Sequence, residues 1–314
     1  MCGRAGSGRM KELPPETAAC LPFTWNADGA AVHSSRKVIS QGTLDILIIG
    51  AVLGVFDKNE IAPVSKTEQH AVVRHMYERR GALCAEQLDG HFLILLYDHA
   101  AKELMLCNNR YEATRLYYYR DSGTFYWATS LTLLLDILPV QPAFDPQSIP
   151  SFLETGFSHT EKTQFHDVTR LLPTYTLCFS EKELRRGEPR SVHHWENEFC
   201  FDRQEFCDLE QKLDEYEACF EKSIGNFLYH HRPESLGAFL SGGHDTSFVF
   251  VKASQVYDKP IHTFTAYFEN FGFDECPKAE YVTRRFGGIH HRVPVGSKDL
   301  DWLPALVRLT EEPV

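Results

Sequence analysis

The spacing of apolar residues in the first part of the chain predicts a strand followed by a helix. Residues 44–49 are mostly apolar and β-branched, which is typical of a strand, and Gly50 and Gly54 then punctuate it. Residues 68–80 carry apolar side chains at helical spacing, and Gly81 follows as a suitable C-cap. Residues 1–45 are rich in small and polar residues and only weakly periodic, so part of this segment is expected to be loop.

Three further strands are predicted at residues 91–97, 103–107 and 124–128. All five residues of the stretch 92–96 are apolar, so both faces of the first of these strands are expected to be buried. A strand that is covered on both sides favours a layered α+β domain over a sheet with one solvated face.

The second half of the chain changes to an alternation of strands and helices. Apolar residues recur every three or four positions over 209–224, which predicts an amphipathic helix, and a short buried strand follows at 236–240. The elements predicted after it are a helix at 246–256, a strand at 262–268, a helix at 277–286 and a strand at 291–295. This order is the signature of a parallel α/β sheet, and we place a domain boundary near residue 200.

Composition narrows the class of protein. A length of 314 residues fits about two domains, and 43% hydrophobic with 24% charged residues is ordinary for a globular protein. A net charge of -11 without a Lys/Arg block argues against nucleic acid and anionic membranes as partners. The nine cysteines form no Cys-x-x-Cys pair, and no apolar run resembles a signal peptide or a membrane span, so we expect a cytoplasmic protein with reduced thiols.

The candidate chemistry lies in the loop that joins strand 236–240 to the next helix. Its sequence after Leu240 is Ser241-Gly242-Gly243-His244-Asp245-Thr246-Ser247. Gly242 and Gly243 permit positive φ and a close approach of the backbone to a ligand. The N–H groups at the start of a helix are unpaired and favour an anion. The loop therefore predicts a phosphate site, with a ligand-free turn as the alternative.

The polar side chains of this loop fit the same prediction. Ser241, Thr246 and Ser247 supply hydroxyl groups that can bond to phosphate oxygens. Asp245 can orient the loop or reach the Mg²⁺ that accompanies a nucleotide.

Residues 240–247 resemble the pyrophosphatase loop of asparagine synthetase B and its relatives, with Thr246 where the family usually has Ser. The resemblance covers about residues 46–314, in the order of the family. Its other segments are Leu88-Asp89-Gly90-His91-Phe92, Leu116-Tyr117-Tyr118, Trp127-Ala128-Thr129-Ser130, Leu171-Leu172-Pro173, Thr263-Phe264-Thr265, Gly272-Phe273-Asp274-Glu275, His290-His291 and Glu312-Pro313.

This resemblance implies the fold. Residues 1–200 would form an N-terminal α+β Ntn-hydrolase-like sandwich, a glutaminase-like domain of class II amidotransferases. Residues 201–314 would form an α/β Rossmann-like ATP-pyrophosphatase domain of the adenine nucleotide alpha hydrolase type. That domain would be C-terminally incomplete, because the family continues with an acidic loop and a catalytic Lys that have no counterpart here. The chain is therefore expected to be a fragment or a natural truncation.

The resemblance also implies a reaction. Mg-ATP would adenylate a carboxylate, aspartate or a related acid, and ammonia from glutamine or another amine would displace AMP. The implied cofactors are thus ATP and Mg²⁺, the latter through Asp245. The implied ATP- and pyrophosphate-binding residues are Leu240, Ser241, Gly242, Gly243, Asp245, Thr246, Ser247, Phe264 and Thr265.

The glutaminase half departs from the family pattern. Cys2 follows Met1, as the family's nucleophile does, and its own amine could act as the base. However, Ile49 stands where the resemblance implies an oxyanion-hole Asn, and Lys66 stands where it implies the Asp that holds the substrate ammonium. We therefore expect glutaminase activity to be lost, as in the related β-lactam synthetases and lasso-peptide cyclases.

Two functions of different classes stay open. The first is an amide ligase of the asparagine synthase type, and the second is a non-catalytic nucleotide-binding or scaffold protein derived from that family. A synthetase of the NAD or GMP type is a third option, against which the upstream matches argue. The sequence leaves the acid, the nitrogen donor and homodimer formation undecided.

Overall fold

A computed structural model describes twelve segments of the chain. They are residues 2–5, 22–26, 29–32, 39–57, 60–112, 114–121, 124–156, 160–180, 183, 189–196, 209–268 and 274–311. Gly272, Phe273, Glu312 and Pro313 lie outside them.

The strands and helices are numbered along the chain. The strands are β1 (Cys2–Ala5), β2 (Pro22–Asn26), β3 (Gly29–Val32), β4 (Ile39–Gln41), β5 (Leu44–Asp57), β6 (Glu60–Pro63), β7 (Leu88–Asp98), β8 (Glu103–Asn108), β9 (Tyr117–Asp121), β10 (Thr124–Ala128), β11 (Val168–Arg170), β12 (Tyr175–Ser180), β13 (Arg190–His193), β14 (Gly237–Phe239), β15 (His262–Phe268) and β16 (Ile289–Val295). The α-helices are α1 (Gln69–Arg80), α2 (Leu131–Ile137), α3 (Ser148–Thr155), α4 (Leu209–His231), α5 (His244–Val256), α6 (Cys276–Arg285) and α7 (Leu303–Thr310), and 3₁₀ helices occupy Gly81–Gln87 and Ser297–Trp302.

The chain forms two compact units. The first comprises Met1–Asn197 together with Leu306–Val314, and the second comprises Glu198–Ala305. The chain therefore passes from one unit to the other twice, and the end of α7 belongs to the first unit.

Two sheets build the first unit. One has the strand order β11-β9-β10-β1-β2-β3, and the other has the order β13-β12-β8-β7-β5-β4, with β6 added along β5. All pairings are antiparallel except that of β1 with β2. This antiparallel pairing matches the α+β class that the sequence predicts.

Strand β7 is buried on both faces, as its sequence predicts. Phe92, Ile94 and Leu96 pack in a cluster with residues of α1, whereas Leu93 and Leu95 pack against the other sheet. Burying such a side chain contributes roughly 1.5–3 kcal/mol. The inter-sheet cluster comprises Leu47, Leu93, Leu95, Tyr97, Leu104, Leu106, Leu116, Phe125, Trp127, Leu171, Leu177 and Phe179. A third cluster joins β9 and β10 to α2, so the unit has the layer order helix, sheet, sheet, helix.

The predicted interruption of the first strand at Gly50 and Gly54 is wrong. Strand β5 continues to Asp57 and pairs with β7 along its length, with a bulge between Val52 and Gly54. Gly50 has φ +92, and a Cβ there would lie 2.0 Å from the His91 carbonyl oxygen. These glycines therefore accommodate the bulge and close backbone approach instead of ending the strand.

The second unit contains the predicted parallel sheet. Its order is β14-β15-β16, and residues of α5 and α6 share one hydrophobic cluster with Ala238 and Leu240, so both helices cover the same face. Thr263 and Thr265 on β15 point to the helices and are buried, whereas Phe264 between them is 37% exposed. Helix-covered and open faces thus alternate along the strand.

The predicted apolar face of α4 is only partly buried. Leu209 is 71% exposed, and Leu213 and Tyr216 are also exposed, so the early part of the stripe is not core. Further along, Lys252 of α5 bonds to Glu217 at 2.6 Å and also to Glu221 of α4. The helices therefore meet in part through an ion cluster, which apolar periodicity does not indicate.

Within the first unit, Glu311 joins the segment after α7 to the start of α2. Its carboxylate accepts bonds from the Ser130 hydroxyl, from Leu131 N at 2.6 Å and from Thr132 N at 3.1 Å. Arg115 also donates to the Thr310 carbonyl oxygen at 3.2 Å. A carboxylate at the start of α2 satisfies N–H groups that the helix cannot pair itself.

None of the described helices has both the length and the apolar character needed to cross a bilayer.

We predict that Gly90→Ala strongly destabilises the first unit. Gly90 has φ +140, and a Cβ there would lie 2.3 Å from the Ala51 carbonyl oxygen, so alanine must displace β7 from β5. We expect a loss of about 3 kcal/mol in unfolding free energy, measured by urea titration with circular dichroism. The control is Gly156→Ala, where the backbone is left-handed with φ +78 and no atom lies within 4 Å; it should cost about 1 kcal/mol. Equal losses in the two variants would contradict the backbone-contact explanation.

Candidate functional site

The predicted loop lies at the carboxyl end of the parallel sheet. Leu240 is buried and follows β14, and its N–H donates to the Phe264 carbonyl oxygen at 3.0 Å. Open α/β sheets bind ligands at the carboxyl ends of their strands. The chain therefore places residues 241–247 at the edge where a ligand site is expected.

Helix α5 begins two residues earlier than predicted. Its first residue is His244, and Gly243 is the N-cap with extended backbone, so Asp245 and Thr246 lie within the first turn. An acidic residue in the first turn complements the positive end of the helix dipole. Because the helix starts directly after the glycines, its unpaired N–H groups belong to the loop itself.

The hydroxyl groups of Ser241 and Thr246 hold the loop together. Their oxygens lie 3.0 Å apart, and Ser241 N donates to Thr246 Oγ1 at 3.3 Å. Gly243 N in turn donates to Ser241 Oγ at 3.3 Å. The replacement of Ser by Thr at 246 keeps the oxygen that these bonds need.

Gly242 is required by its backbone angle and by its packing. Its φ is +75, and a Cβ there would lie 2.8 Å from Lys278 Cβ and 2.9 Å from Ala279 N. The loop therefore rests directly on the first turn of α6. Side chains rarely tolerate either condition, so any other residue would move the loop or the helix.

Thr265 and Phe264 occupy opposite faces of β15. Thr265 is buried and donates its hydroxyl hydrogen to the Leu240 carbonyl oxygen, which fixes the end of β14. Phe264 lies on the open face, where its ring stacks on His291 with centroids 4.8 Å apart. Thr265 therefore stabilises the end of β14, whereas Phe264 is accessible on the open face.

The remaining loop residues differ in exposure. Asp245 is exposed, whereas the Ser247 hydroxyl oxygen is buried and has no hydrogen-bond partner among the described residues. Buried hydroxyls normally find a partner, so Ser247 retains bonding capacity.

Asp274 and Arg292 form a second polar group at this edge, which sequence reasoning assigned no role. Asp274 accepts a bond from Cys276 N at 2.9 Å and from Arg292 Nη2 at 2.9 Å. The Cys276 N–H, with a further contribution from Arg292, lowers the pKa of the Asp274 carboxyl. Arg292 also lies over the Tyr267 ring at 4.8 Å. The sequence signals at Asp274 are its place in the segment Gly272-Phe273-Asp274-Glu275 that resembles the family, and an Asp two residues before a Cys-Pro helix start, which is typical of a helix cap.

His290 belongs to a polar network under the sheet. Its Nδ1 lies 3.0 Å from Thr263 Oγ1, which lies 2.7 Å from Thr283 Oγ1 of α6. Burial lowers the pKa of His290, and nearby Arg292 and His291 act in the same direction. The imidazole is therefore favoured in its neutral form.

The candidate glutaminase residues lie in the first unit. The backbone of Cys2 begins β1 and pairs with Ala128 of β10. Ile49 is half-buried and packs against the inter-sheet core, and its side chain has no hydrogen-bond donor. Lys66 is exposed in the turn before α1.

The segment around Lys66 serves the start of α1. Glu68 Oε2 accepts bonds from the Ser65 hydroxyl and from Ser65 N at 3.1 Å, and these bonds lower the pKa of Glu68. This arrangement is a reciprocal turn that precedes the helix. The polar groups that resemble a substrate-binding segment are thus used within the turn.

Comparison with known families matches both halves of the chain. Residues 58–191 match the glutamine amidotransferase domain, and residues 218–314 match asparagine synthase. Asparagine synthetase [glutamine-hydrolyzing] 3 of Bacillus subtilis (strain 168) is 23% identical over 250 residues, which cover 75% of this chain and 39% of that protein. The chain therefore spans about two-fifths of the length of this curated relative.

Two solved structures show weaker likeness. Glutamine phosphoribosylpyrophosphate amidotransferase from B. subtilis, complexed with ADP and GMP, has a TM-score of 0.31 at 9% identity over 83% of this chain and 64% of that chain. An allosteric regulatory enzyme of purine biosynthesis has a TM-score of 0.32 at 10% identity over 83% of this chain and 62% of that chain. Scores at this level do not define a shared fold.

The two family matches indicate a chain that joins a glutamine-amidotransferase-type domain to an asparagine synthase domain. These two matches and the Bacillus relative support an asparagine synthetase family member. The resemblance read from the loop and its flanking segments is confirmed at this level.

We predict that His290→Gln reduces the pH dependence of stability in the acid range. The pKa of His290 is lowered from 6.5 in the folded chain, so on acidification the unfolded state binds a proton first. The contribution of this residue is thus present above about pH 6.5 and is lost as pH falls toward the folded-state pKa. Glutamine can still accept from Thr263 and does not titrate. The urea midpoint of the wild type should therefore fall more than that of the variant between pH 7.5 and 5.5. A constant difference between the two would contradict the assignment.

Proposed function

We propose that the second unit binds Mg-ATP at residues 240–247 and forms an amide bond through an acyl-adenylate. The observation that carries the proposal is the loop geometry. The unpaired N–H groups of the first turn of α5 lie at the carboxyl edge of a parallel sheet, next to a glycine that no side chain could replace. The matches to asparagine synthase and to the Bacillus relative support the same proposal.

The proposed reaction has two steps. A carboxylate oxygen of the acid, aspartate or a related compound, attacks the α-phosphorus of ATP, and pyrophosphate leaves. An amine or ammonia then attacks the acyl carbon, and AMP leaves. Donors at the loop act where negative charge grows on the departing pyrophosphate, which is where such groups accelerate a reaction.

The residues of the loop are proposed to have different roles in this reaction. The first-turn N–H groups and Ser247 would bind phosphate oxygens, while Ser241 and Thr246 hold the loop in shape. Asp245 is exposed in the first turn and would reach Mg²⁺. The described residues contain no group of three or more His, Cys, Asp or Glu arranged for a metal ion. One carboxylate with phosphate oxygens is nevertheless a usual way to hold Mg²⁺, so the residues present fit this ion.

We infer a Rossmann-like ATP-pyrophosphatase arrangement for this unit. Three parallel strands in the order β14-β15-β16, with α5 and α6 on one face, support it. The loop follows the first of these strands, which is the usual place for a phosphate group in such sheets.

The nitrogen is proposed to come from ammonia or a substrate amine and not from glutamine hydrolysis by this chain. Ile49 offers no donor to an oxyanion, and loss of one donor costs roughly 10²–10³ in rate. Lys66 would repel a substrate ammonium. The match to the glutamine amidotransferase domain begins at residue 58 and does not reach Cys2 or Ile49.

The first test of this proposal is ATP binding by calorimetry. We expect Gly242→Ala to abolish binding, because an added Cβ pushes the loop off α6 and turns its N–H groups away. The matched control is Gly287→Ala in the same unit, where φ is +74 and no atom lies within 4 Å, so binding should persist. No heat with the wild type, or equal binding by both variants, would refute the site.

Catalysis is tested by ATP–pyrophosphate exchange in the presence of candidate acids. Acid-dependent exchange supports the ligase. Binding without exchange for any acid supports the competing non-catalytic role, in which the loop holds a nucleotide and performs no transfer.

We predict that the chain releases no ammonia from glutamine, because its pocket lacks a donor at 49 and carries a cation at 66. The measurement is an enzyme-coupled ammonia assay, with a Cys2→Ala variant as the reference. Release that this variant abolishes would show that the glutaminase half is active.

A further inference from the structure

Lys278 lies against the phosphate loop, although no family feature draws attention to it. A Cβ on Gly242 would lie 2.8 Å from Lys278 Cβ, so the base of this side chain is in van der Waals contact with the loop backbone. Lys278 is also exposed, so its ammonium is accessible to a ligand in solution.

The direction of α6 places the Lys278 side chain at the sheet edge that carries the loop. Lys278 lies in the first turn of α6, whose first residue is Cys276. Because α6 connects two parallel strands, its N-terminal end lies at their carboxyl edge, where the loop also lies. Side chains on a helix tilt toward its N-terminus, so Lys278 leans toward that edge.

The charged side chains around the loop differ in whether they form ion pairs. Within the described segments no carboxylate forms an ion pair with Lys278, whereas Lys252 pairs with Glu217 and Glu221, and Arg292 pairs with Asp274. The chain as a whole carries a net charge of -11, which repels a polyphosphate. Asp245 adds a negative charge in the loop, and a nearby cation would offset it.

We propose that Lys278 is a phosphate-binding residue of this site and holds the β- and γ-phosphate end of the nucleotide. An ammonium on a flexible four-carbon stem suits this task because it binds phosphate as a point charge and needs no fixed geometry. This inference rests on the proposed function, because it assigns a ligand contact within the same loop.

The test compares Lys278→Met with Lys298→Met, which removes the same charge from an exposed position of the second unit. The probes are inorganic pyrophosphate and AMP, measured by calorimetry at several salt concentrations. Lys278→Met should bind pyrophosphate roughly tenfold to a hundredfold more weakly and with a shallower salt dependence, as expected for a lost charge-assisted bond. The affinity of Lys278→Met for AMP should fall much less than its affinity for pyrophosphate. Lys278→Arg should retain most of the wild-type affinity for pyrophosphate.

The outcomes separate this inference from the proposed function. Tight pyrophosphate binding by the wild type and equally tight binding by Lys278→Met would overturn the role of Lys278 and leave the loop intact. An equal loss in Lys298→Met would also overturn it, since the effect would then reflect net charge. No pyrophosphate binding by the wild type would overturn both. Urea unfolding of Lys278→Met should match the wild type, which excludes a folding defect.

Discussion

The contact between Gly242 and the first turn of α6 is the constraint on which the candidate site depends. It sets the distance between the loop and the helix, because the added Cβ of any other residue would lie 2.8 Å from Lys278 Cβ and 2.9 Å from Ala279 N. With the loop held there, Ser241 and Thr246 can close their hydrogen bonds. The N–H groups that start α5 have no side-chain cap, and unpaired groups at a helix start favour an anion. One backbone contact thus determines both the shape of the loop and the electrostatics of its opening.

The first unit depends on apolar packing on both faces of one of its sheets. Its stability comes from a strand, β7, that is apolar on both faces and therefore supplies two cores at once. Ile49 packs against the inter-sheet core. The Ser65–Glu68 turn likewise uses its polar groups to start α1. Apolar packing and a local turn therefore account for how these residues are placed in the fold.

The sequence predicts local elements better than it predicts contacts between distant residues. Continuous apolar character over 92–96 correctly indicated a strand buried on both faces, and strand–helix alternation correctly indicated the parallel sheet. The prediction that the strand is interrupted at Gly50 and Gly54 is wrong. A glycine that permits a bulge and close backbone approach has the same local pattern as a glycine that ends a strand.

Hydrogen bonds between residues that are far apart in the sequence are not indicated by any periodic pattern. Glu311 bonds to the start of α2, which lies 180 residues away in sequence at Leu131, and Asp274 joins Arg292 across the sheet edge. The contact of Lys278 with Gly242 is of the same kind. The local sequence around each residue indicates only a helix position or a loop position. Their meeting follows from topology, because α6 must return its N-terminus to the edge where β14 ends. A parallel sheet therefore gathers charge from separate segments at one edge, and a residue with no motif of its own can become part of the site.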